Sequence, residues 1–333
     1  MFMGSVSNNF FTVADRLLSV ETRDEWSAQL FTRVIADFCF LPVAYSENKP
    51  DGILRIWRTG TPPPVPAGLS GFEIADGYCY SSGEAIYLAV YDSLIIVHRR
   101  AAKLIELFIG ETTRALRPMS LINSIIYAVQ ALLRRASVYP LHAAGLIEPQ
   151  SNHGVLIIGD SGAGKSTLTI RLTAAGWRYL SDDLMTLIER NGHIIAQGLR
   201  RIFSLAAVSG LMSQELPRLE AALGKAVLAD PTKHVIHPMI LFPDSLAQAC
   251  VPHRLLFPEV TAEETSRLIR LAPVEAMSRL IKHCPWSTYD TAIAPDYLSA
   301  LGLLIKQSVA YRLIAGADLL REPQRAAMLL SSV

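Results

Sequence analysis

Short apolar runs and turn residues alternate along the first third of the chain. Gly52 to Arg58, Phe72 to Tyr80, Ala85 to Tyr91 and Leu94 to His98 are rich in β-branched and aromatic residues, with turns such as Ser81-Ser82-Gly83 between them. They predict a small antiparallel sheet. A helical stretch, Thr22 to Asp37, precedes them, and Thr59 to Pro66 reads as a stiff, polyproline-like surface connection. From Pro118 to Ala136 the period changes, with Leu121, Ile125, Val129 and Leu132 at helical spacing until Tyr139-Pro140 stops the pattern. Strand-like runs at Leu141 to Ile147 and Gly154 to Ile158 then surround a polar turn. A helix over Leu168 to Ala175 follows, capped by Gly176, then a strand over Trp177 to Leu180. Met185 to Ile188 and His193 to Ala196 form a hairpin pattern around Asn191-Gly192. Beyond Ser204 the sequence turns helical and loop-like, and Pro295 to Leu304, Ser308 to Ala315 and Glu322 to Leu330 predict closing helices. The expected fold class is α/β (α+β). A mostly β N-terminal module spans 1–117, a linking helix spans 118–138, and a domain with a mixed sheet and C-terminal helices spans 139–333.

A length of 333 residues exceeds what one growing core usually serves, which fits this division. With 31 basic and 30 acidic residues the net charge is +1, so nothing global draws the chain to nucleic acid or to an anionic membrane. Cys39, Cys79, Cys250 and Cys284 lie far apart with no C-x-x-C pair, against a zinc site or a disulfide framework. The first residues lack the basic start and apolar core of a secretory signal. The greasiest stretch, Met119 to Leu133, is interrupted by Ser120, Asn123, Ser124 and Gln130 and is too short to span a bilayer. A cytoplasmic location is the expectation.

The candidate chemistry begins where the second strand-like run ends. Gly159-Asp160-Ser161-Gly162-Ala163-Gly164-Lys165-Ser166-Thr167 satisfies G-x-x-x-x-G-K-[ST], with a strand pattern before it and a helix pattern after it. Glycines let the backbone curl around a triphosphate, and successive N–H groups with the following helix N-terminus stabilise anionic oxygens. Lys165 can reach the β- and γ-phosphates, and the Ser166 hydroxyl can ligate Mg²⁺. ATP and Mg²⁺ are therefore the expected cofactors. One helix and one strand downstream, Asp182-Asp183 supplies the acidic element that such a loop needs to hold metal and to accept the proton of an attacking hydroxyl. Two adjacent carboxylates raise one another's pKa unless a cation or a proton is shared. Asp182 and Asp183 thus join Ser166 as candidate metal ligands, with the division of duties between them open. Residue type alone leaves His142, in Leu141-His142-Ala143-Ala144-Gly145, between a structural and a chemical role.

Taken in order, His142 in LHAAGLIE, the loop GDSGAGKS from Gly159 to Ser166, and GWRYLSDD from Gly176 to Asp183 resemble the HPr kinase/phosphorylase superfamily, whose catalytic core is similar to that of phosphoenolpyruvate carboxykinase. The resemblance covers about Tyr139 to Gln197. It implies an HPr-kinase-like P-loop core in which His142 assists or orients the base and Asp182 and Asp183 divide base and Mg²⁺ duties. Catalytic residues on this reading are His142, Lys165, Asp182 and Asp183. Two departures stand out. Members of the family carry an acidic residue directly after the loop serine, where this chain has Thr167, and their downstream E-I-R-G-L-G segment has only the echo Gly198-Leu199-Arg200-Arg201. These imply a kinase without phosphorylase activity. The divergent sequence is also similar to stand-alone HPr-kinase-like proteins, including kinases of lasso-peptide pathways, which implies a protein or precursor-peptide partner with an acceptor serine or threonine. The N-terminal module would then bind substrate. The resemblance further implies a homo-oligomer.

Weaker candidates are Lys225 and Lys233, in a stretch able to close over phosphates, and His234, His237 and His253, whose spacing lacks an acidic or cysteine partner for a metal. A small-molecule kinase on the same core also fits the motifs. A switch or transport ATPase would need an apolar run ending in Asp-Glu, an LSGGQ-like segment or N-K-x-D, and none follows the loop. A catalytically dead binding module conflicts with the retention of Lys165, Ser166 and both aspartates.

Overall fold

The structure is a computed structural model that describes residues 7–44, 48–74, 76–101, 103–205, 223–224, 234–284, 286–322 and 324–332. The chain divides into two compact units, Met1–Val138 and Tyr139–Val333.

The first unit carries nine strands, β1 (Ser7–Val13), β2 (Arg16–Thr22), β3 (Leu41–Val43), β4 (Gly52–Arg58), β5 (Gly71–Ile74), β6 (Gly77–Ser81), β7 (Ala85–Val90), β8 (Ser93–His98) and β9 (Leu104–Ile109). They form one sheet in the order β3-β1-β2-β4-β9-β8-β7-β6-β5. A small antiparallel sheet was the expectation. The sheet is instead mixed, because β4 lies between β2 and β9 and runs parallel to both. The segment Phe72 to Tyr80, expected as one strand, folds back as the β5–β6 hairpin. Helix α1 (Glu25–Ile35) starts where Asp24 accepts from the Ser27 N–H at 2.9 Å, satisfying a first-turn donor. After α2 (Glu111–Leu116), α3 (Pro118–Arg135) buries Leu121, Ile125, Val129 and Leu132 on one face. Expected as a linker, α3 lies within the first unit, against β4, β8 and β9. A Cβ on Gly52 of β4 would come within 2.6 Å of Leu132, so this contact is tight.

In the second unit β10 (Tyr139–Leu141), β11 (Ala143–Ile147), β12 (Gly154–Ile158), β13 (Arg178–Ser181), β14 (Met185–Arg190) and β15 (His193–Gly198) surround helix α4 (Lys165–Ala174) in sequence. Then come β16 (Phe203–Leu205), β17 (Leu223–Gly224), β18 (His234–Ile236), β19 (Ala249–Cys250), β20 (Pro252–Val260), β21 (Arg267–Arg270), α5 (Pro273–Lys282), α6 (Ala294–Gln307), β22 (Val309–Ala315) and α7 (Arg325–Leu330). The main sheet has the order β13-β11-β12-β20-β22-β21, with β12, β20 and β22 mutually parallel. A second sheet runs β10-β14-β15-β19, and a third β16-β18-β17. The expected α/β class is observed. Asn191 and Gly192 both take positive φ, 52° and 77°, as the two-residue turn of the β14–β15 hairpin requires.

The run Gly154–Ile158 is apolar at every position because the strand is buried on both faces. Val155 and Ile157 pack with Leu168 and Leu172 of α4 and Leu330 of α7, whereas Leu156 and Ile158 pack with Leu280 of α5 and with Tyr297, Leu301 and Leu304 of α6. Each such side chain is worth roughly 1.5–3 kcal/mol of burial. Three expectations fail here. Ser308 to Ala315 is not a helix but β22, an interior strand of the main sheet. The stretch beyond Ser204, expected as helix and loop, contains β20 and β21. Leu141 to Ile147 is not one strand, since it breaks at His142 and its two parts join different sheets. Among the described residues no helix is long and apolar enough to cross a membrane.

Candidate functional site

Three parallel strands, β12, β20 and β22, end on the same edge of the main sheet. The carboxyl ends of such strands are where open α/β sheets bind ligands. The chain leaving β12 forms the loop Gly159 to Gly164 and enters α4 at Lys165. Gly162 and Gly164 have φ of +83° and +87°, a left-handed backbone that side chains resist, and Gly164 is the N-cap of α4. The first turn of a helix carries N–H groups without intrahelical acceptors, so the loop ends on a helix terminus of the kind that suits an anion.

Lys165 is only 7% exposed. Its ammonium donates to the carbonyl oxygens of Gly159 (2.7 Å) and Asp160 (3.1 Å), and it lies 3.0 Å from His142 Nε2. An ammonium has no lone pair, so Nε2 is the acceptor and the ring proton sits on Nδ1. That nitrogen faces Asp183 Oδ1 at 3.2 Å. Lys165, His142 and Asp183 therefore form a directional chain. The strand break makes it possible: His142 belongs to neither β10 nor β11 and stands at the seam between the two sheets.

The carboxylates differ from one another. Asp182 is buried at 1% exposure, while the Asp183 side chain is 38% exposed. The turn that carries them is pinned by Ser181, whose hydroxyl donates to the Arg200 carbonyl at 2.7 Å and accepts from the Leu184 N–H at 3.2 Å. Arg200 Nη1 stands 3.7 Å from Asp183 Oδ2. Gly198 permits this approach, since a Cβ there would meet the Leu180 carbonyl oxygen at 2.1 Å. Burial opposes ionisation of Asp183, but the His142 hydrogen bond and the charges of Arg200 and Lys165 outweigh it and hold the carboxyl below its ordinary range.

On the other side of the loop a cavity of about 320 Å³ opens between α4 and the ends of β20 and β22. Gly162, Ala163, Gly164 and Thr167 form one wall, and Pro258, Val260, Leu313, Ala315 and Leu319 supply an apolar lining, with Arg171 and Thr261 as polar groups. Its volume suits a small organic ligand.

No protein-family model and no curated protein matches the chain. A solved structure similar to it is the HPr(Ser) kinase/phosphatase from Coxiella burnetii, 15% identical, with a TM-score of 0.32, over 58% of this chain and 88% of that one. Similarity at that level decides nothing about activity, which has to be read from the chain's own residues.

Of the residues singled out in the sequence, the loop from Gly159 to Thr167, His142 and Asp183 converge, with Asp182 beside them in the chain. Lys225 and Lys233 lie outside the described residues. His253 sits at the start of β20, at the opposite end of the strand from the loop, stacked on His153 with ring centroids 4.1 Å apart, and His237 is the N-cap residue of a short helical turn. Among the described residues no group of three or more His, Cys, Asp or Glu side chains is arranged to hold a metal by itself. Three residues had gone unnoticed or nearly so. Arg200 was only a faint motif echo, and Lys282 and His283, at the end of α5, meet Asp160 across more than a hundred residues of chain. No sequence spacing signals that contact.

Proposed function

We propose that the chain is an ATP- and Mg²⁺-dependent phosphotransferase that moves the γ-phosphoryl group to a serine or threonine hydroxyl of a protein or peptide. The observation that carries this reading is the Asp183–His142–Lys165 chain, which joins a carboxylate reachable from solvent to the lysine of the phosphate loop. The loop amides and Lys165 take the β- and γ-phosphates. The cavity beside Gly162 to Thr167 takes the base and ribose, which favours a nucleoside triphosphate over pyrophosphate as donor. Hard oxygen donors, the Ser166 hydroxyl and the Asp182 carboxylate, suit Mg²⁺, which keeps waters and phosphate oxygens as its remaining ligands. When bound, that ion neutralises charge on the β- and γ-oxygens.

Asp183 is the proton acceptor in this scheme because an incoming hydroxyl arrives from solvent and Asp182 is out of its reach. The acceptor oxygen forms a bond to the γ-phosphorus, the bond from that phosphorus to the bridging oxygen breaks, ADP leaves, and the hydroxyl proton goes to Asp183. A carboxylate held at low pKa takes the proton late, as the hydroxyl grows acidic on bonding to phosphorus, which suits a loose transition state. His142 fixes the orientation of that carboxylate. The peptide class of acceptor rests on the resemblance of the LHAAGLIE, GDSGAGKST and WRYLSDD segments to HPr kinases. Incubation with γ-labelled ATP, Mg²⁺ and peptides encoded beside the gene, followed by mass spectrometry, tests the whole reading. Phosphoryl transfer reduced by roughly 10³-fold in Lys165→Ala supports it. Equal transfer by wild type and Lys165→Ala sinks it.

A further inference from the structure

Asp160 is the second residue of the phosphate loop, and a carboxylate there opposes the anion the loop is built to hold. It does not stand alone. Lys282 Nζ lies 3.0 Å from Asp160 Oδ2, and His283 Nδ1 lies 3.8 Å from Asp160 Oδ1. The Lys282 and Asp160 side chains are 68% and 67% exposed, so their pairing contributes little to stability and exchanges at small cost. The helix that carries Lys282 is fixed more firmly. Arg279 of α5 binds Glu259 of β20 at 2.9 Å, and Pro258 beside it packs 3.7 Å from the Cβ position of Gly159. The His283 side chain is 11% exposed. Burial, together with the charges of Lys282 and Lys165 and against that of Asp160, keeps its ring below the usual histidine range, which favours the uncharged form beside the loop. The root of Lys282 is thus anchored while its tip is free to change partners.

The direction of the bound nucleotide follows from the same loop. The cavity adjoins Gly162 to Thr167, whereas the Lys165 ammonium, which reaches the β- and γ-phosphates, lies 3.1 Å from the Asp160 carbonyl oxygen. Asp160 therefore marks the γ end of the site. We propose that Lys282 is a γ-phosphate-contacting residue, held by Asp160 and transferred to the terminal phosphate when a nucleoside triphosphate enters. Resting on the phosphotransferase reading above, this makes Lys282 the group that tells a triphosphate from a diphosphate, with His283 as the positioning residue that holds the end of α5 against the loop.

Calorimetric titration of the full chain with Mg-ADP and with the Mg complex of adenylyl imidodiphosphate separates the possibilities without any acceptor. Lys282→Ala should weaken the triphosphate analogue by about 10-fold or more, the effect of losing one charged hydrogen bond, while ADP affinity changes by less than about 3-fold. Lys282→Arg should restore most of the loss, and Asp160→Asn should tighten the analogue by freeing the lysine. An equal change for both nucleotides, or none, overturns the role of Lys282 and leaves the phosphotransferase reading standing. Failure of wild type to bind either nucleotide overturns both.

Discussion

Strand β12 has a charged cluster at each end, and the two are built on opposite principles. At its start, before Gly154, Glu148 is 3% exposed and its carboxylate accepts from Arg254 at 3.0 Å, from Ser331 at 2.7 Å and from Ser151. Both oxygens are held from three directions. At its finish Asp160, Lys282 and Asp183 are open to water and partners are shared, with Asp160 divided between Lys282 and His283 and the buried Lys165 divided among two carbonyls and a ring nitrogen. A buried ion with both oxygens held by fixed partners serves the fold. A set of charges that can change partners can receive a new anion. On the phosphotransferase reading, chemistry belongs at the end where the partners are exchangeable.

If the Glu148 cluster is purely structural, breaking it should cost stability alone. Arg254→Met leaves a buried carboxylate without its main cation and should lower unfolding free energy by about 3–5 kcal/mol in a denaturant titration, with nucleotide affinity of the folded protein unchanged. A large loss of affinity there would erase the contrast between the two ends. The loop end should behave in the opposite way. His142→Ala should slow phosphoryl transfer by roughly 10–100-fold with little change in unfolding midpoint. It should also move the acid limb of the rate upward in pH. Asp183 must be ionised to accept a proton, and His142 is the main group lowering its pKa against the opposing effect of burial, so its loss lets that pKa rise. An unshifted limb with a reduced rate would make His142 a packing residue.

Smallest in effect, and a sharper test of what saturation means, is Asp318, which accepts from the backbone and side chain of Ser266, from the Leu319 N–H and from Arg325. Burial opposes its ionisation, but those hydrogen bonds prevail and hold its pKa down to about 2, from 3.8. Its folded pKa is lowered, so its contribution is complete above pH 3.8 and fades as pH falls through about 2. Asp318→Asn should cost about 1–3 kcal/mol at neutral pH and flatten the acid side of the stability curve, read by denaturant titration across pH.

What the sequence disclosed follows the same division. Local signals were sufficient for the loop, for β12, for α4 and for the Asn191-Gly192 hairpin, because each is decided by neighbours within a few residues. The strand β22 was misread as a helix since Val309 to Ala315 lacks a clean alternation, and a short apolar run alone does not separate the two periods. The mixed order of the first sheet was hidden too, because β4 pairs in parallel with strands on both sides and no tight turn announces a parallel neighbour. His142 was visible as a candidate, yet the break that frees it was not. Lys282 and Arg200 reach the loop and Asp183 through tertiary contacts, and Gly198 mattered for the backbone it lets pass rather than for any motif.

The seam at His142 has a mechanical side. The ring is rooted where the four-stranded sheet hands the chain to the six-stranded one, and it touches the lysine on one side and the aspartate on the other. A small tilt of one sheet against the other would pull on both contacts at once, so on the phosphotransferase reading donor grip and acceptor activation meet at a single joint.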